Sequence, residues 1–197
     1  MIELLLASKS PRRRELLGML GFPLTFVDID VEEQLGHPVA AAEVAKYLAC
    51  RKAEGYKGVL RAHQVLVTAD TVVVLGEKVL GKPHSHEEAE EMLHSLSGKV
   101  HQVYTGVCLR SPVASTSFTE CTDVHFRVLT DAEITYYVDH YKPYDKAGSY
   151  GIQEWIGMVG IERIEGCFYN VMGLPLAHLC RELSSFTSEL PCGLQVC

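Results

Sequence analysis

The sequence predicts an α/β fold with an elongated mixed sheet and flanking helices. Apolar runs of strand length recur along the 197 residues, and segments with apolar residues three and four positions apart lie between several of them. Two strand-like runs also follow each other with only a turn between them, which indicates that the sheet is partly antiparallel. Apolar residues make up 47% of the chain, which is enough to build a substantial core.

The first half of the chain alternates strands and helices. The run over 2–7 is apolar without alternation, which predicts a fully buried strand. Ser10 fits the N-cap and Pro11 the first position of a helix that ends near residue 20. The remaining predictions here are a strand over 24–30, a helix over 39–55 and, over 64–83, two strands with a polar interruption between them and a turn after them.

The second half of the chain adds antiparallel strands and further helices. Thr130 and Glu133 have the spacing of a capping box, which predicts that a helix over 130–141 begins there. The tail over 187–197 shows no periodicity and is predicted to be flexible. The other predicted elements are a helix over 85–98, two strands within 99–128, a short strand within the glycine-rich segment 146–166 and a last helix over 170–186.

Composition and charge exclude several classes of protein. A net charge of −7 argues against general binding to nucleic acid, because duplex-binding proteins are usually basic. No apolar run approaches the roughly 18 residues needed to span a bilayer, and the start of the chain does not resemble a signal peptide. Seven cysteines without a CxxC pair favour reduced thiols over a disulfide framework. We therefore expect a cytoplasmic protein with neither nucleic acid nor membrane as a partner.

Three consecutive arginines, Arg12, Arg13 and Arg14, fall in the first turn of the first predicted helix. A helix start carries partial positive charge, so cations are unfavourable there unless an anion is bound. The small residues over 7–10 lead into this helix, and backbone N–H groups at such a position bind phosphate, to which arginine adds bidentate contacts. The alternative interpretation is a solvated basic turn. Since neighbouring helical residues are about 100° apart, only one or two of the arginines can face a ligand.

Carboxylates and lysines supply a second group of candidates. Asp70 lies inside an apolar stretch, where burial is unfavourable without a cation or hydrogen bonds, so we expect it to be functional. The acidic residues within 28–33 either bind a hard divalent metal or form a polar strand end. Lys52 and Lys82 are weak candidates when each is considered alone, because most lysines are solvated.

A glycine-rich segment near residue 150 could read a nucleobase. Gly148 and Gly151 lie on either side of a segment that leads to Gln153, whose amide can both donate and accept hydrogen bonds. Tyr150 and Trp155 fit equally well as core residues or as stacking platforms. Alone, this segment is a weak signal.

Taken together, these segments resemble the Maf family of nucleoside triphosphate pyrophosphatases. Nine of them appear in the order of the family between residues 2 and 186: LASKSPRRRELL, DVEE, CRKA, TADTVV, GKP, YTGV, DVHFR, KAGSYGIQ and VMGLPL. The resemblance implies one domain over 1–186 with two lobes around a cleft, similar to inosine triphosphate pyrophosphatases. The tail lies outside it.

The resemblance also implies a reaction. Family members hydrolyse a nucleoside triphosphate to the monophosphate and pyrophosphate with Mg²⁺ or Mn²⁺, and they often form homodimers. The segments TADT and YGIQ look like the branch that prefers dTTP and UTP. By this resemblance Asp70 is the proton acceptor and Glu33 is a residue of the cleft. We expect Glu33 and Asp70 to hold the metal, so that Asp70 either accepts the proton of water or fixes the metal. The substrate-binding residues that it implies are Ser8, Arg12, Arg13, Lys52, Thr71, Lys82 and Gln153, of which Arg12, Thr71 and Gln153 match positions that set specificity.

Alternatives remain open at this point. Family members have been associated with inhibition of septum formation, so a nucleotide-binding regulator of cell division without turnover is one rival. A phosphatase that releases orthophosphate is another, and modified pyrimidine nucleotides could be the substrates. Arg51 stands where an acidic residue is common in the family, which changes the charge balance near Lys52.

Overall fold

The computed structural model describes residues 2–31, 39–184 and 186. In these ranges the strands are β1 Glu3–Leu6, β2 Leu24–Phe26, β3 Gln64–Leu75, β4 Lys78–Leu80, β5 Val100–Arg110, β6 Ser115–Phe126 and β7 Ile161–Glu165. The helices are α1 Pro11–Gly18, α2 Ala41–Gly55, α3 His86–Leu96, α4 Asp131–Tyr141, α5 Trp155–Gly160, α6 Phe168–Met172 and α7 Leu176–Ser184. None of the helices in the described ranges has the length and apolar character that a membrane crossing requires.

The strands form one mixed sheet in the order β2-β1-β3-β5-β6-β7, with β4 paired to β3. β1 runs parallel to both β2 and β3, where Leu5 aligns with Thr25 and Leu66. β4 is antiparallel to β3, and β7 is antiparallel to β6. The predicted α/β class with a mixed, partly antiparallel sheet is therefore confirmed.

The chain divides into two compact units. The first comprises residues 1–70, 105–120 and 173–197, and the second comprises residues 71–104 and 121–172. β3, β5 and β6 contribute residues to both units.

The first unit is organised around β1, the first part of β3 and α2. Leu5 and Leu66 lie in one buried apolar cluster with Ala49, Ala53 and Cys108. The parallel β1–α1–β2 arrangement places the end of α1 back beside the sheet, where Leu16 and Leu17 are buried. This unit therefore fixes the direction of α1, which carries Arg12 and Arg13, and of α2, which carries Lys52.

The second unit has a core that α3, α4 and α5 share with the strands. Its buried members include Leu93, Val124, Ile134, Tyr137 and Ile156. Helix starts are satisfied as the sequence predicts. Ser85 caps α3 and accepts from the N–H of Glu88, and Thr130 caps α4 in a complete capping box with Glu133.

Three predicted elements differ from the structure. β3 runs without interruption from Gln64 to Leu75, because backbone pairing continues through the polar residues Asp70 and Thr71. The second strand ends at Phe26 rather than at residue 30. The last predicted helix is two helices separated by Gly173–Pro175, where the Gly173 φ of 114° cannot be accommodated in a helix. Helix α5 is not predicted from the sequence, because its six residues contain two glycines.

Candidate active site

An ion pair between Lys52 and Asp70 joins α2 to β3 within the first unit. The Lys52 ammonium is 2.8 Å from Oδ2 of Asp70, and only 17% and 15% of the two side chains are exposed. Lys52 belongs to the last turns of α2, and Asp70 lies in the middle of β3. The expectation that Asp70 needs a cation or hydrogen bonds in its apolar surroundings is confirmed.

The register between α2 and β3 explains why this pair forms. Thr68 precedes Asp70 by two residues and therefore lies on the same face of β3. The buried Thr68 hydroxyl donates to the carbonyl of Ala49 at 2.7 Å, and Ala49 lies three residues before Lys52, on the same face of α2. One hydrogen bond and one ion pair thus hold the two elements in a single register.

Gly106 of β5 allows α2 to lie unusually close to the sheet. A Cβ at this position would overlap the backbone of Ala45 and Lys46. Any side chain here would push the helix, and with it Lys52, away from the strands. The close contact with α2 gives a physical reason for the glycine in the segment YTGV. From sequence alone, this segment is only part of the resemblance.

The arginine-rich turn is held by some of its own polar groups. Ser10 caps α1 by accepting from the N–H of Arg13 at 3.5 Å, and its own N–H donates to the Ser8 hydroxyl. Arg14 donates from Nε to the Ser8 carbonyl at 3.0 Å, and its guanidinium lies 4.7 Å from the ring centre of Phe26. Arg14 is therefore a half-buried structural residue rather than a solvated one.

The other two arginines differ from Arg14. The Nε of Arg13 donates to the carbonyl of Gly173 at 2.8 Å, so this side chain ties α1 to the segment that precedes α7. Arg12 is half-buried on the first turn of α1, and its side chain also interacts with other groups of the protein. The N–H of Ala7 donates to Val67 in the sheet. The amides of Ala7 and Ser10 are thus already bonded, and the backbone there offers fewer donors to an anion than the sequence suggests.

Lys82 belongs to the second unit and follows the β3–β4 hairpin. It is exposed, whereas the next residue, Pro83, is buried. The carbonyl of Gly81 accepts from the N–H of Gly148 at 3.0 Å, which joins this turn to the glycine-rich segment. Gly148 has a φ of +70°, and a Cβ there would lie 2.9 Å from Val73, so only glycine fits.

Gln153 is exposed at the end of a turn that buried groups hold in place. The Tyr137 hydroxyl donates to Glu154 in a short hydrogen bond and accepts from the N–H of Gly151 at 3.0 Å. The Glu154 carboxylate also pairs with the ammonium of Lys146 at 3.0 Å. Burial, reinforced by Glu154, raises the pKa of Tyr137 far above its ordinary value, so its hydroxyl remains a donor.

Lys146, Tyr137 and Glu154 were not among the predicted site residues, and only the position of Glu154 directly after Gln153 could have pointed to them. Tyr150 is fully buried and hydrogen-bonded to His101 at 2.8 Å, so it is a core residue rather than a stacking platform.

The predicted residues are distributed between the two units. Ser8, Arg12, Arg13, Lys52 and Asp70 belong to the first unit, and Thr71, Lys82 and Gln153 belong to the second. Glu33 lies outside the described residues. Among the described residues there is no group of three or more His, Cys, Asp or Glu side chains that could hold a metal ion.

Helix N-termini and arginine side chains both occur in sites that recognise phosphate, and α1 of this mixed α/β framework carries three consecutive arginines in its first turn. Comparison with known families narrows the class of protein. The family model described as Maf-like protein matches residues 3–186, and the chain therefore belongs to that family.

Several relatives match along nearly their whole length. A protein of Bacteroides thetaiotaomicron named dTTP/UTP pyrophosphatase is 50% identical over 182 residues, which is 92% of this chain and 94% of the relative. A protein of Parabacteroides distasonis with the same name is 49% identical over 185 residues, with coverage of 93% and 96%. The solved structure of the Staphylococcus aureus Ham1 protein is also similar. The match covers 63% of this chain and 71% of the Ham1 chain, with 16% sequence identity and a TM-score of 0.47.

Proposed function

We propose that this protein is a nucleoside triphosphate pyrophosphatase that hydrolyses dTTP and UTP to the monophosphate and pyrophosphate. The observation that carries the proposal is the 50% identity over 182 residues to a relative named dTTP/UTP pyrophosphatase. The ion pair between Lys52 and Asp70 supports the proposal on chemical grounds, because this pair places a carboxylate and a cation together in a half-buried position.

In the proposed reaction, water attacks the α-phosphorus of the nucleotide. The bond between that phosphorus and the oxygen bridging to the β-phosphate breaks, and pyrophosphate leaves. Asp70 accepts the proton of the attacking water. Lys52 holds Asp70 in position through the 2.8 Å ion pair and brings positive charge toward the phosphates. Positioning and charge neutralisation then supply most of the rate acceleration.

The remaining predicted residues bind the substrate in this proposal. Arg12, together with Arg13 and Lys82, compensates the charge of the triphosphate, and Ser8 shapes the turn before α1. Thr71 and Gln153 contact the pyrimidine. The exposed Gln153 at the end of a turn held by Tyr137 and Glu154 supports this role, since its amide is presented on a rigid support.

We also propose that the enzyme uses Mg²⁺ or Mn²⁺, with Asp70 and Glu33 as protein ligands. Mg²⁺ is usually held by one or two carboxylates together with phosphate oxygens and water, so Asp70 suits this donor set. The described residues offer no all-protein metal cage, which agrees with a metal that arrives with the nucleotide. When bound, the metal would neutralise phosphate charge and polarise the phosphoryl group.

The test is a panel of canonical and modified nucleoside triphosphates with identified products. The purified protein is incubated with each nucleotide in Mg²⁺, in Mn²⁺ and in a chelator. We expect pyrophosphate and the monophosphate from dTTP and UTP, and only with metal. Release of orthophosphate would identify a phosphatase instead. Binding without turnover would identify the regulator of cell division, and faster turnover of a methylated pyrimidine nucleotide would redefine the substrate.

Cytoplasmic location and homodimer formation stay predictions. The five cysteines in the described ranges are not bridged, which is common in the cytosol. Sedimentation of the purified chain measures its oligomeric state directly.

A further inference from the structure

Cys50 and Cys108 form a pair of thiols that the proposed reaction does not use. Cys50 lies on α2 and is half-buried, whereas Cys108 lies on β5 and is 4% exposed. Cys50 packs against the buried apolar cluster that contains Cys108. The Thr68 hydroxyl lies 2.7 Å from the carbonyl of Ala49, the residue before Cys50, and 3.5 Å from the carbonyl of Cys108. The Cys108 sulfur also lies 3.8 Å from the Ser115 hydroxyl of β6. The pair thus connects a helix to the sheet within the first unit.

The close approach of α2 to β5 explains why the thiols meet. Gly106 and Cys108 are two residues apart on β5 and share a face, and a Cβ on Gly106 would overlap the backbone of Lys46. Cys50 is one helical turn beyond Lys46 and shares its face of α2. A disulfide requires Cα atoms about 4.4–6.8 Å apart, a separation that an ordinary helix on a sheet exceeds. The contact at Gly106 brings α2 closer to β5 than such ordinary packing allows.

The surroundings also make the two thiols chemically different. Hydrogen bonding from Cys108, assisted by Ser117, lowers the pKa of Cys50 below its ordinary value. The same bond and burial raise the pKa of Cys108. Cys50 therefore has the features of an attacking thiol, which are partial exposure and thiolate character, and Cys108 those of a resolving thiol.

We propose that Cys50 and Cys108 are a reversible oxidation site, at which peroxide converts the two thiols to an intramolecular disulfide. The Cys50 thiolate attacks one oxygen of hydrogen peroxide and the O–O bond breaks, which leaves a sulfenic acid and hydroxide. The hydroxide takes up the proton that the Cys50 thiol released on ionisation and becomes the first water. The sulfur of Cys108 then attacks the Cys50 sulfur, and its proton leaves with the hydroxyl as a second water. Two thiols are oxidised by two electrons, and one peroxide is reduced.

Trypsin offers a direct test, because each thiol falls in a peptide with a single cysteine. Cleavage after Lys46 and Arg51 releases residues 47–51 with Cys50, and cleavage after Lys99 and Arg110 releases residues 100–110 with Cys108. The reduced full-length protein is treated with hydrogen peroxide, alkylated and digested without reductant. We expect mass spectrometry to find the two peptides joined, lighter than their sum by two hydrogen atoms, and separated again by dithiothreitol.

Variants assign the two roles. In Cys108→Ser, we expect peroxide to leave a sulfenic acid on Cys50 that dimedone labels, because no resolving thiol is present. Cys50→Ser should abolish both the cross-link and the label. The matched control is Cys121→Ser, which removes an exposed cysteine of β6 and should leave the cross-link unchanged.

Several results would overturn the proposal. They are a disulfide that joins Cys50 to another cysteine, a Cys50 that stays reduced while Cys121 oxidises, and a joined peptide that forms only after denaturation. Since the readout is the mass of two peptides, this test is independent of whether dTTP and UTP are substrates.

Discussion

The Lys52 ammonium lies 2.8 Å from Oδ2 of Asp70, and this ion pair fixes the end of α2 to the middle of β3. If Asp70 accepts the proton of water, Asp70→Asn removes the base and leaves its shape. We expect turnover of dTTP to fall by at least roughly 10²-fold, the usual scale for a general base. Steady-state kinetics measure this, with Glu91→Gln on the exposed side of α3 as a matched carboxylate-to-amide control. Turnover within a few-fold of the unaltered enzyme would remove Asp70 from the mechanism.

Arg12 and Arg14 occupy the same turn of α1 but should respond differently to truncation. Arg12→Ala should raise KM for dTTP by roughly tenfold or more, the effect of losing one charge-assisted hydrogen bond to phosphate, and this effect on KM should exceed its effect on folding. Arg14→Ala should instead lower Tm, because it removes the hydrogen bond to Ser8 and the contact with Phe26. Kinetics and thermal unfolding of the pair measure both effects. An unchanged KM for Arg12→Ala would reject its phosphate role.

Tyr137 is expected to act as a positioning residue for Gln153. Tyr137→Phe deprives Glu154 of a donor and the Gly151 N–H of an acceptor. We expect a loss of about 1–3 kcal/mol in the free energy of unfolding and a rise in KM for both pyrimidine nucleotides. Gln153→Ala should raise KM without the loss of stability, because Gln153 is exposed. Urea unfolding and kinetics on the two variants separate these effects, and a Tyr137→Phe variant with unchanged KM would limit the network to a structural role.

The contact between Gly106 and α2 leads to a prediction about stability. Gly106→Ala places a methyl group into the backbone of Ala45 and Lys46, so we expect a loss of about 1–3 kcal/mol or more through overpacking. Gly18→Ala is the matched control, because a Cβ there meets nothing within 4 Å. That substitution in a helix should be neutral or stabilising by about 0.5–1 kcal/mol. Equal unfolding midpoints for the two variants would contradict the close packing.

Local chemistry made parts of this molecule predictable from sequence. The capping box of Thr130 and Glu133 and the N-cap of Ser10 depend on residues within one turn, so spacing alone locates them. The need of Asp70 for a cation followed from its apolar neighbours, but its partner did not, because Lys52 is 18 residues away and meets it only through packing.

Other features depended on tertiary structure or on backbone pairing. The expected break in β3 at Asp70 was wrong, since ladder hydrogen bonds do not depend on side-chain polarity. The bond between Tyr137 and Glu154 spans 17 residues and requires α4 and the Gln153 turn to be assembled. Periodicity could not reveal such a contact.

His101 should make the stability of the protein depend on pH. It is fully buried, with Nε2 2.8 Å from the Tyr150 hydroxyl, and in the described part of the chain its Nδ1 has no hydrogen-bond partner. Burial, assisted by His125, lowers the pKa of His101 from 6.5 to about 4. Between these values the unfolded chain binds a proton that the folded chain does not, so stability falls as the pH decreases. We expect a loss of about 1.5 kcal/mol between pH 6.5 and about pH 5.

This window separates His101 from Glu133 and His86, whose pKa values are also shifted. Glu133, whose pKa is lowered from 4.5 to about 2 by its bonds to Arg127 and Thr130, affects stability only below the window. His86, whose pKa is raised by Asp139, adds stability that is lost only above pH 6.5. Cys50, whose pKa is lowered from 9.0 to about 6 mainly by its hydrogen bond to Cys108, also contributes stability that is lost in this window. Urea unfolding at the two pH values is therefore carried out in the Cys50→Ser background, where it measures mainly His101. His101→Gln keeps a polar partner for Tyr150 without titrating, and it should remove most of the slope. A slope that persists in this variant would assign the pH dependence to another group.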